Sequence, residues 1–297
     1  MDHKFLAKLI TKIENNPELA PEIIQRLPES RSKVIGFTGS PGVGKSSLID
    51  QVIKQLRDKD LSVAVVAIDP SSPFTKGAFL GDRIRMRDHF VDEKVFIRSM
   101  ASRGALGGLC DAAFDVVKLL ECSGFDYILV ETVGVGQSEV EISNLADLTV
   151  LVLSPGFGDE IQMLKAGVME IADLYAINKS DLPESDTLYT QLLAFLSLAG
   201  RGEKQVCKTS AYTQDGVQEL VGRIEDLWNS LCSSGMLDER RRKRVQYHAE
   251  HILRRLVQKA VHSVKGCKTE NPYEFVEVAL SRLCETRLKK DGQGGGI

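Results

Sequence analysis

The sequence predicts an α/β fold: a doubly wound, mostly parallel sheet with helical extensions at both ends. Six short apolar runs carry that expectation: Val34–Phe37, Val63–Ile68, Val95–Ile97, Tyr127–Val130, Val150–Leu153 and Leu174–Ile177. Each is rich in β-branched residues and is followed by a segment of helical character. Strands that are apolar throughout belong in a parallel sheet covered on both faces. The second observation is that glycine-rich and acidic motifs directly follow several of these runs, and open parallel sheets bind ligands at the carboxyl ends of their strands.

Taken in order, residues 1–33 form an N-terminal helical extension. They begin as an amphipathic helix with Phe5, Leu6, Leu9, Ile10 and Ile13 on one stripe, then turn to loop around Pro17, Pro21 and Pro28. Residues 34–232 form the central α/β domain. After about Trp228 the sheet pattern stops, and residues 236–265 and 272–290 read as two long, charged helices. Residues 233–297 therefore form a C-terminal helical arm whose last glycines, Gly292 to Gly296, make a flexible tail. Such a pair of helices is a packing extension or an oligomerisation arm, and spacing alone leans towards packing. The run Arg240-Arg241-Arg242-Lys243-Arg244 reads as a solvated helix face, with partner contact the alternative.

The 297 residues, 43% of them hydrophobic, suit one sizeable α/β domain with helical additions. A formal net charge of −3 gives no pointer to nucleic-acid or membrane partners. No stretch approaches the ~20 consecutive apolar residues of a membrane span. The N-terminus lacks the apolar core of a secretory signal and the Ser/Arg richness of a transit peptide. A cytoplasmic protein is expected, or one of an organelle matrix if a targeting segment has been removed. The six cysteines are scattered without a C-x-x-C pair and read as reduced, mostly buried small hydrophobes.

The run Val34–Phe37 leads into Gly39-Ser40-Pro41-Gly42-Val43-Gly44-Lys45-Ser46, a G-x-x-x-x-G-K-S loop that opens a helix at Ser46–Leu56. Gly39, Pro41, Gly42, Val43, Gly44 and Ser47 belong to this phosphate cradle. Glycines let successive N–H groups turn inward around phosphates, and the positive end of the helix faces the same anion. Lys45 reaches the β- and γ-phosphates, and the Ser46 hydroxyl is a ligand for Mg²⁺.

Two later strands end in carboxylates, Asp69 and Glu131, which can face that Mg²⁺ directly or through water. Glu131 and Gly134 have the spacing of a D-x-x-G element with Glu in place of Asp, and the Gly134 N–H would sense the γ-phosphate. Between them, residues 77–87 contain Asp82, Arg83, Arg85 and Arg87. A solvated charged helix and a nucleotide-dependent segment both remain open there, with Asp82 the candidate for the second. Small GTPases place a water-orienting Gln directly after the glycine. This chain has Val135, and Gln137 comes later, so low intrinsic turnover is expected, rising when a partner orders the loops.

Leu174–Ile177 runs into Asn178-Lys179-Ser180-Asp181, an N-K-x-D element. The Asp181 carboxylate can accept two hydrogen bonds from guanine N1–H and its exocyclic amine, which adenine does not offer. Lys179 can lay its methylene stem on the base, and Asn178 can brace the loop. Ser210-Ala211 follows the next strand, and a backbone N–H there is expected at guanine O6. GTP and GDP are thus the expected nucleotides, with an ATPase disfavoured.

The segments Asp69–Pro73, Gly81-Asp82-Arg83, Glu131–Glu139 and Ser154–Gly167 together resemble the MeaB/ArgK/MMAA GTPases, P-loop proteins of the SIMIBI class that includes the nickel-delivery GTPases. The resemblance covers about residues 30–230. It implies a regulator that gates adenosylcobalamin loading into a cobalamin-dependent acyl-CoA mutase, chiefly methylmalonyl-CoA mutase, and protects that enzyme. It implies that Lys45, Asp69, Asp82 and Glu131 serve Mg²⁺ binding and hydrolysis. Asp159 and Lys165 fall in a switch loop that communicates with the mutase. It further implies a homodimer built on the C-terminal helices. Two other functions stand as alternatives: a kinase linked to basic amino-acid transport, for which the chain lacks a recognisable acceptor site, and nickel delivery, for which it lacks His-rich stretches. His248 and His251, one turn apart, read as a solvated pair rather than a metal site.

Overall fold

The computed structural model describes residues 2–24, 32–69, 86–101, 112–132, 138–156, 168–198, 200, 205–264, 269 and 271–291. Seven parallel strands form one sheet: β1 (Lys33–Thr38), β2 (Val63–Asp69), β3 (Val95–Ala101), β4 (Tyr127–Glu131), β5 (Leu148–Leu153), β6 (Leu174–Ile177) and β7 (Val206–Lys208). Their order is β3-β2-β4-β1-β5-β6-β7, so β1 lies centrally and the chain winds outward on both sides of it. All six apolar runs lie in strands, and the short seventh strand precedes Thr209.

Among the described residues, eight α-helices precede the C-terminal arm. They are α1 (His3–Asn15), α2 (Ala20–Ile24), α3 (Lys45–Asp58), α4 (Ala112–Cys122), α5 (Ser138–Leu145), α6 (Val168–Ile171), α7 (Ser185–Leu198) and α8 (Val217–Ser234). Strand residues alternate between two faces, as the two-residue period of a strand requires. Ile35, Phe37, Val150 and Val152 pack with Leu48, Val52 and Leu56 of α3 and with Leu220, Ile224 and Trp228 of α8. Leu151, Leu153, Tyr175 and Ile177 turn to the other side, against Met169 of α6 and Leu188, Leu192 and Leu196 of α7. On that side Gly36 lets α5 come close, because a Cβ there would stand 2.6 Å from Ile142 Cγ1.

The N-terminal extension differs in part from expectation. Asp2 caps α1 through the Lys4 N–H, and Leu6, Ile10 and Ile13 are buried, whereas Phe5 is exposed. Around Pro17 and Pro21 the chain is not loop but a 3₁₀ turn (Pro17–Leu19) followed by α2. Each proline sits in the first turn of its element, where no backbone N–H is needed. Pro28 lies outside the described residues. Of the cysteines described, Cys122 and Cys207 are buried but Cys232 and Cys284 are exposed, so "mostly buried" does not hold for them. Burial raises the Cys207 thiol to about 11.

The chain divides into two compact units, Met1–Arg241 and Arg242–Ile297. The boundary falls within α9 (Met236–Ser263), which is followed by α10 (Pro272–Asp291). In the second unit Ala260 and Ala279 are buried, while Val245 and, two turns on, Leu253, Val257 and Val261 at four-residue spacing are exposed along α9. No described helix is long and apolar enough to cross a membrane.

Candidate functional site

The loop between β1 and α3 is held in a glycine-dependent shape, most tightly at Gly39 and Gly44. Gly39 has φ +143°, and a Cβ there would meet the Val152 carbonyl oxygen of β5 at 2.2 Å. Gly44 has φ +91°, and its Cβ would stand 2.5 Å from Asn178 Nδ2. Both lie in the left-handed region that L side chains avoid. The loop is thereby pressed against β5 on one side and the end of β6 on the other. Val43 anchors it in the core, and Pro41 and Gly42 are exposed at its tip.

Lys45, almost fully buried, donates from Nζ to the Gly39 and Ser40 carbonyls at 2.7 and 3.0 Å. Its charge therefore sits inside the curl of the loop. No side chain caps α3 at Gly44 among the described residues. The positive end of the α3 dipole faces this loop, where it favours an anion.

One turn into the site, Ser46 Oγ donates to Glu131 Oε1 at 2.7 Å. Glu131 closes β4, level with Phe37 on β1 and Ala67 on β2, and is buried. The Thr132 N–H donates to the Phe37 carbonyl, which fixes the chain just beyond it. A hydroxyl and a carboxylate this close form a hard-oxygen pair, the donor set a small divalent cation takes alongside phosphate oxygens. Asp69 ends β2 two residues past the level of Glu131. Asp82, Gly134, Asp159 and Lys165 lie outside the described residues, as do Val135 and Gln137.

The end of β6 builds a second region. Asn178 Nδ2 donates to the Val43 carbonyl at 2.9 Å, and its Oδ1 accepts the Ala211 N–H at 3.1 Å. That N–H, expected at a base oxygen, is thus engaged by Asn178 in this structure. Lys179 adopts φ +59° and donates from Nζ to the Gly42 carbonyl at 2.8 Å, so its stem bridges back to the phosphate loop. Asp181 Oδ1 accepts from Ser210 Oγ at 2.6 Å, and Ser210 Oγ in turn accepts the Thr213 N–H. These groups line a cavity of about 420 Å³ that Ser47 and Tyr212 also border. A carboxylate oriented by a hydroxyl at the rim of such a cavity can read the donor edge of a base.

A family model for the methylmalonyl-CoA mutase-associated GTPase MeaB matches residues 6–266 of this chain. The chain belongs to the MeaB family. Relatives agree: a putative GTPase of Pyrococcus abyssi is 47% identical over 260 residues, covering 85% of this chain and 80% of its own. A mitochondrial methylmalonic aciduria type A homolog of Caenorhabditis elegans is 36% identical over 220 residues, 71% of this chain and 55% of its own. Among solved structures, that of a LAO/AO transport system kinase aligns with TM-score 0.62 and 25% identity, covering 95% of this chain and 92% of that one. This member of the MeaB family is a P-loop GTPase of the SIMIBI class that binds GTP and GDP and hydrolyses GTP.

Two further features had no motif to announce them. His89 Nε2 lies 3.0 Å from Asp50 Oδ1 in a buried pair, joining the 3₁₀ turn Arg87–His89 to α3. Lys54 also pairs with Asp50 at 2.8 Å. Burial pushes the Asp50 carboxyl up, but hydrogen bonds from His89 and Lys54 outweigh it and hold the carboxyl below its usual range. The other feature is Tyr212, which is largely exposed at the border of the base-edge cavity.

Proposed function

We propose that this GTPase times the loading and protection of a cobalamin-dependent acyl-CoA mutase, methylmalonyl-CoA mutase foremost. The observation that carries the proposal is the family match across residues 6–266, whose description names association with that mutase. Bound Mg²⁺ would neutralise charge between the β- and γ-phosphates. Ser46 and Glu131 are the groups to hold it, with Asp69 and Asp82 completing the set. The loop glycines and the start of α3 bind the phosphates, and Lys45 gives up its bonds to the Gly39 and Ser40 carbonyls to meet them. Gly134 senses the γ-phosphate. Asp181, held by Ser210, selects guanine, while Asn178 and Lys179 tie that selection to the phosphate loop.

Val135 occupies the place of a water-orienting Gln and has no polar group to orient water. Hydrolysis is therefore slow in the isolated protein and accelerates when the mutase orders the loop containing Asp159 and Lys165. The exposed stripe Val245, Leu253, Val257 and Val261 supports a homodimer formed through the arm. The likeness to the LAO/AO transport system kinase favours one alternative, phosphoryl transfer to an acceptor.

The test is binding of the purified mutase to this protein loaded in turn with GDP and with a non-hydrolysable GTP analogue. The proposal expects a complex whose affinity differs between the two nucleotides. Equal affinities, or no complex, contradict it. Transfer of labelled γ-phosphate to a protein or small molecule, in place of inorganic phosphate release, would establish the kinase instead.

A further inference from the structure

Tyr212 is 90% exposed, yet the turn that carries it is held firmly. On one side the Ala211 N–H is bound by Asn178 Oδ1 at 3.1 Å. On the other the Thr213 N–H is bound by Ser210 Oγ at 3.1 Å, and the Thr213 hydroxyl donates to Asp215 at 2.6 Å. The Ser210 N–H donates to the Asp215 carbonyl at 2.9 Å. A large aromatic side chain left in solvent on a braced turn contributes nothing to the core. Its position at the rim of the cavity with Lys179 and Asp181 gives it a use.

The cavity already has a bridge and an edge reader. The Lys179 stem spans from the end of β6 to the Gly42 carbonyl. Asp181, oriented by Ser210, reads donors in the plane of a base. What these leave uncovered is the second face of that plane. Leu182, 40% exposed, adds apolar surface at the same cavity. Aromatic rings stack on purine faces without regard to the groups on the base edge.

We propose that Tyr212 stacks on the guanine of bound nucleotide, on the face opposite the Lys179 stem, and supplies affinity while Asp181 supplies selection. This rests on Asp181 marking the base site. A pre-braced turn loses little backbone freedom on binding, so the aromatic contact is retained in the affinity.

Equilibrium binding of GDP and of inosine diphosphate, which lacks the exocyclic amine, tests the proposal in three Tyr212 variants and in Asp181→Asn. Tyr212→Ala is expected to weaken both nucleotides by roughly ten- to a hundredfold, with their affinity ratio unchanged, because stacking ignores the edge. Tyr212→Phe is expected to restore near wild-type affinity. In Tyr212→Trp the introduced indole changes emission on GDP addition, against the background of Trp228, the chain's own tryptophan. Asp181→Asn is expected to change the GDP-to-inosine diphosphate ratio. If that ratio stays at the wild-type value, the base-site assignment fails and the stacking proposal with it. If the ratio changes but Tyr212→Ala binds GDP within about twofold of wild type, stacking by Tyr212 alone is overturned.

Discussion

The Arg241 guanidinium grips both oxygens of the Asp147 carboxylate, Nε to Oδ1 and Nη2 to Oδ2, each at 3.1 Å. Asp147 is buried, and its Oδ2 also accepts the Val34 N–H at the start of β1. Arg241 Nη2 donates to the Ser32 carbonyl as well, and the guanidinium lies 5.5 Å from the centre of the Trp228 ring. The preceding residue repeats the device, since Arg240 pairs with Asp173, which accepts the Thr149 N–H of β5. The basic run is therefore not simply a solvated face. Its first two arginines fasten the start of α9 to the end of the sheet where the strands begin.

Removing Arg241 leaves the Asp147 charge buried without its guanidinium. Loss of one partner of a buried pair costs about 3–5 kcal/mol. Arg241→Ala is expected near the low end of that range, because the Arg241 side chain is 23% exposed. Arg241→Lys should recover less than half of the loss, since an ammonium cannot make the two-pronged contact or stack on Trp228. Urea unfolding curves of the three proteins check this, and a loss under about 1 kcal/mol for Arg241→Ala would show the pair to be incidental.

Gly44→Ala is expected to abolish tight GTP binding while leaving the sheet folded. The added methyl would stand 2.5 Å from Asn178 Nδ2 at a backbone φ of +91°. Both the clash and the strain fall on the phosphate loop and the end of β6, not on the core. Nucleotide titration with a circular dichroism control reads the two effects separately.

Glu131→Gln keeps the length of the side chain and can still accept from Ser46, but removes the charge. The expected outcome is a roughly 10–100-fold loss in Mg²⁺-dependent turnover, with metal-free GDP binding little changed. Turnover of the variant at the wild-type rate across an Mg²⁺ titration would remove Glu131 from the metal site.

The Asp50–His89 pair gives an acid-side signature. The folded Asp50 carboxyl sits below its usual range, so its contribution to stability is present above the unfolded value of about 4 and lost as pH falls through the folded one. The stability margin of the wild type over Asp50→Asn should therefore shrink as pH falls below about 5. Denaturant unfolding at closely spaced pH values measures it, and a margin that grows on acidification would contradict the stated cause.

The fold was readable because fully covered parallel strands leave near-continuous apolar runs, and all six of those runs form strands. The phosphate loop was readable because glycine, lysine and serine at fixed spacing have few other uses. Asp50 and His89 were not, since they stand 39 positions apart and belong to no motif. Nor was the sorting of Arg240 and Arg241 from Arg242, Lys243 and Arg244, because five adjacent cations look alike until Asp147 and Asp173 choose among them. The turns at Pro17 and Pro21 misled because proline ends a helix when inside it and starts one when in its first turn.

In the proposed function, hydrolysis in this GTPase is timed by a cobalamin-dependent acyl-CoA mutase. Single-turnover and steady-state GTPase rates, measured for the isolated protein and again with saturating methylmalonyl-CoA mutase, test it most directly. A slow basal rate that rises at least tenfold with the mutase, and loses that rise in a variant of Asp159 or Lys165, is the expected result. An isolated protein that already turns over as fast as the mixture would contradict it.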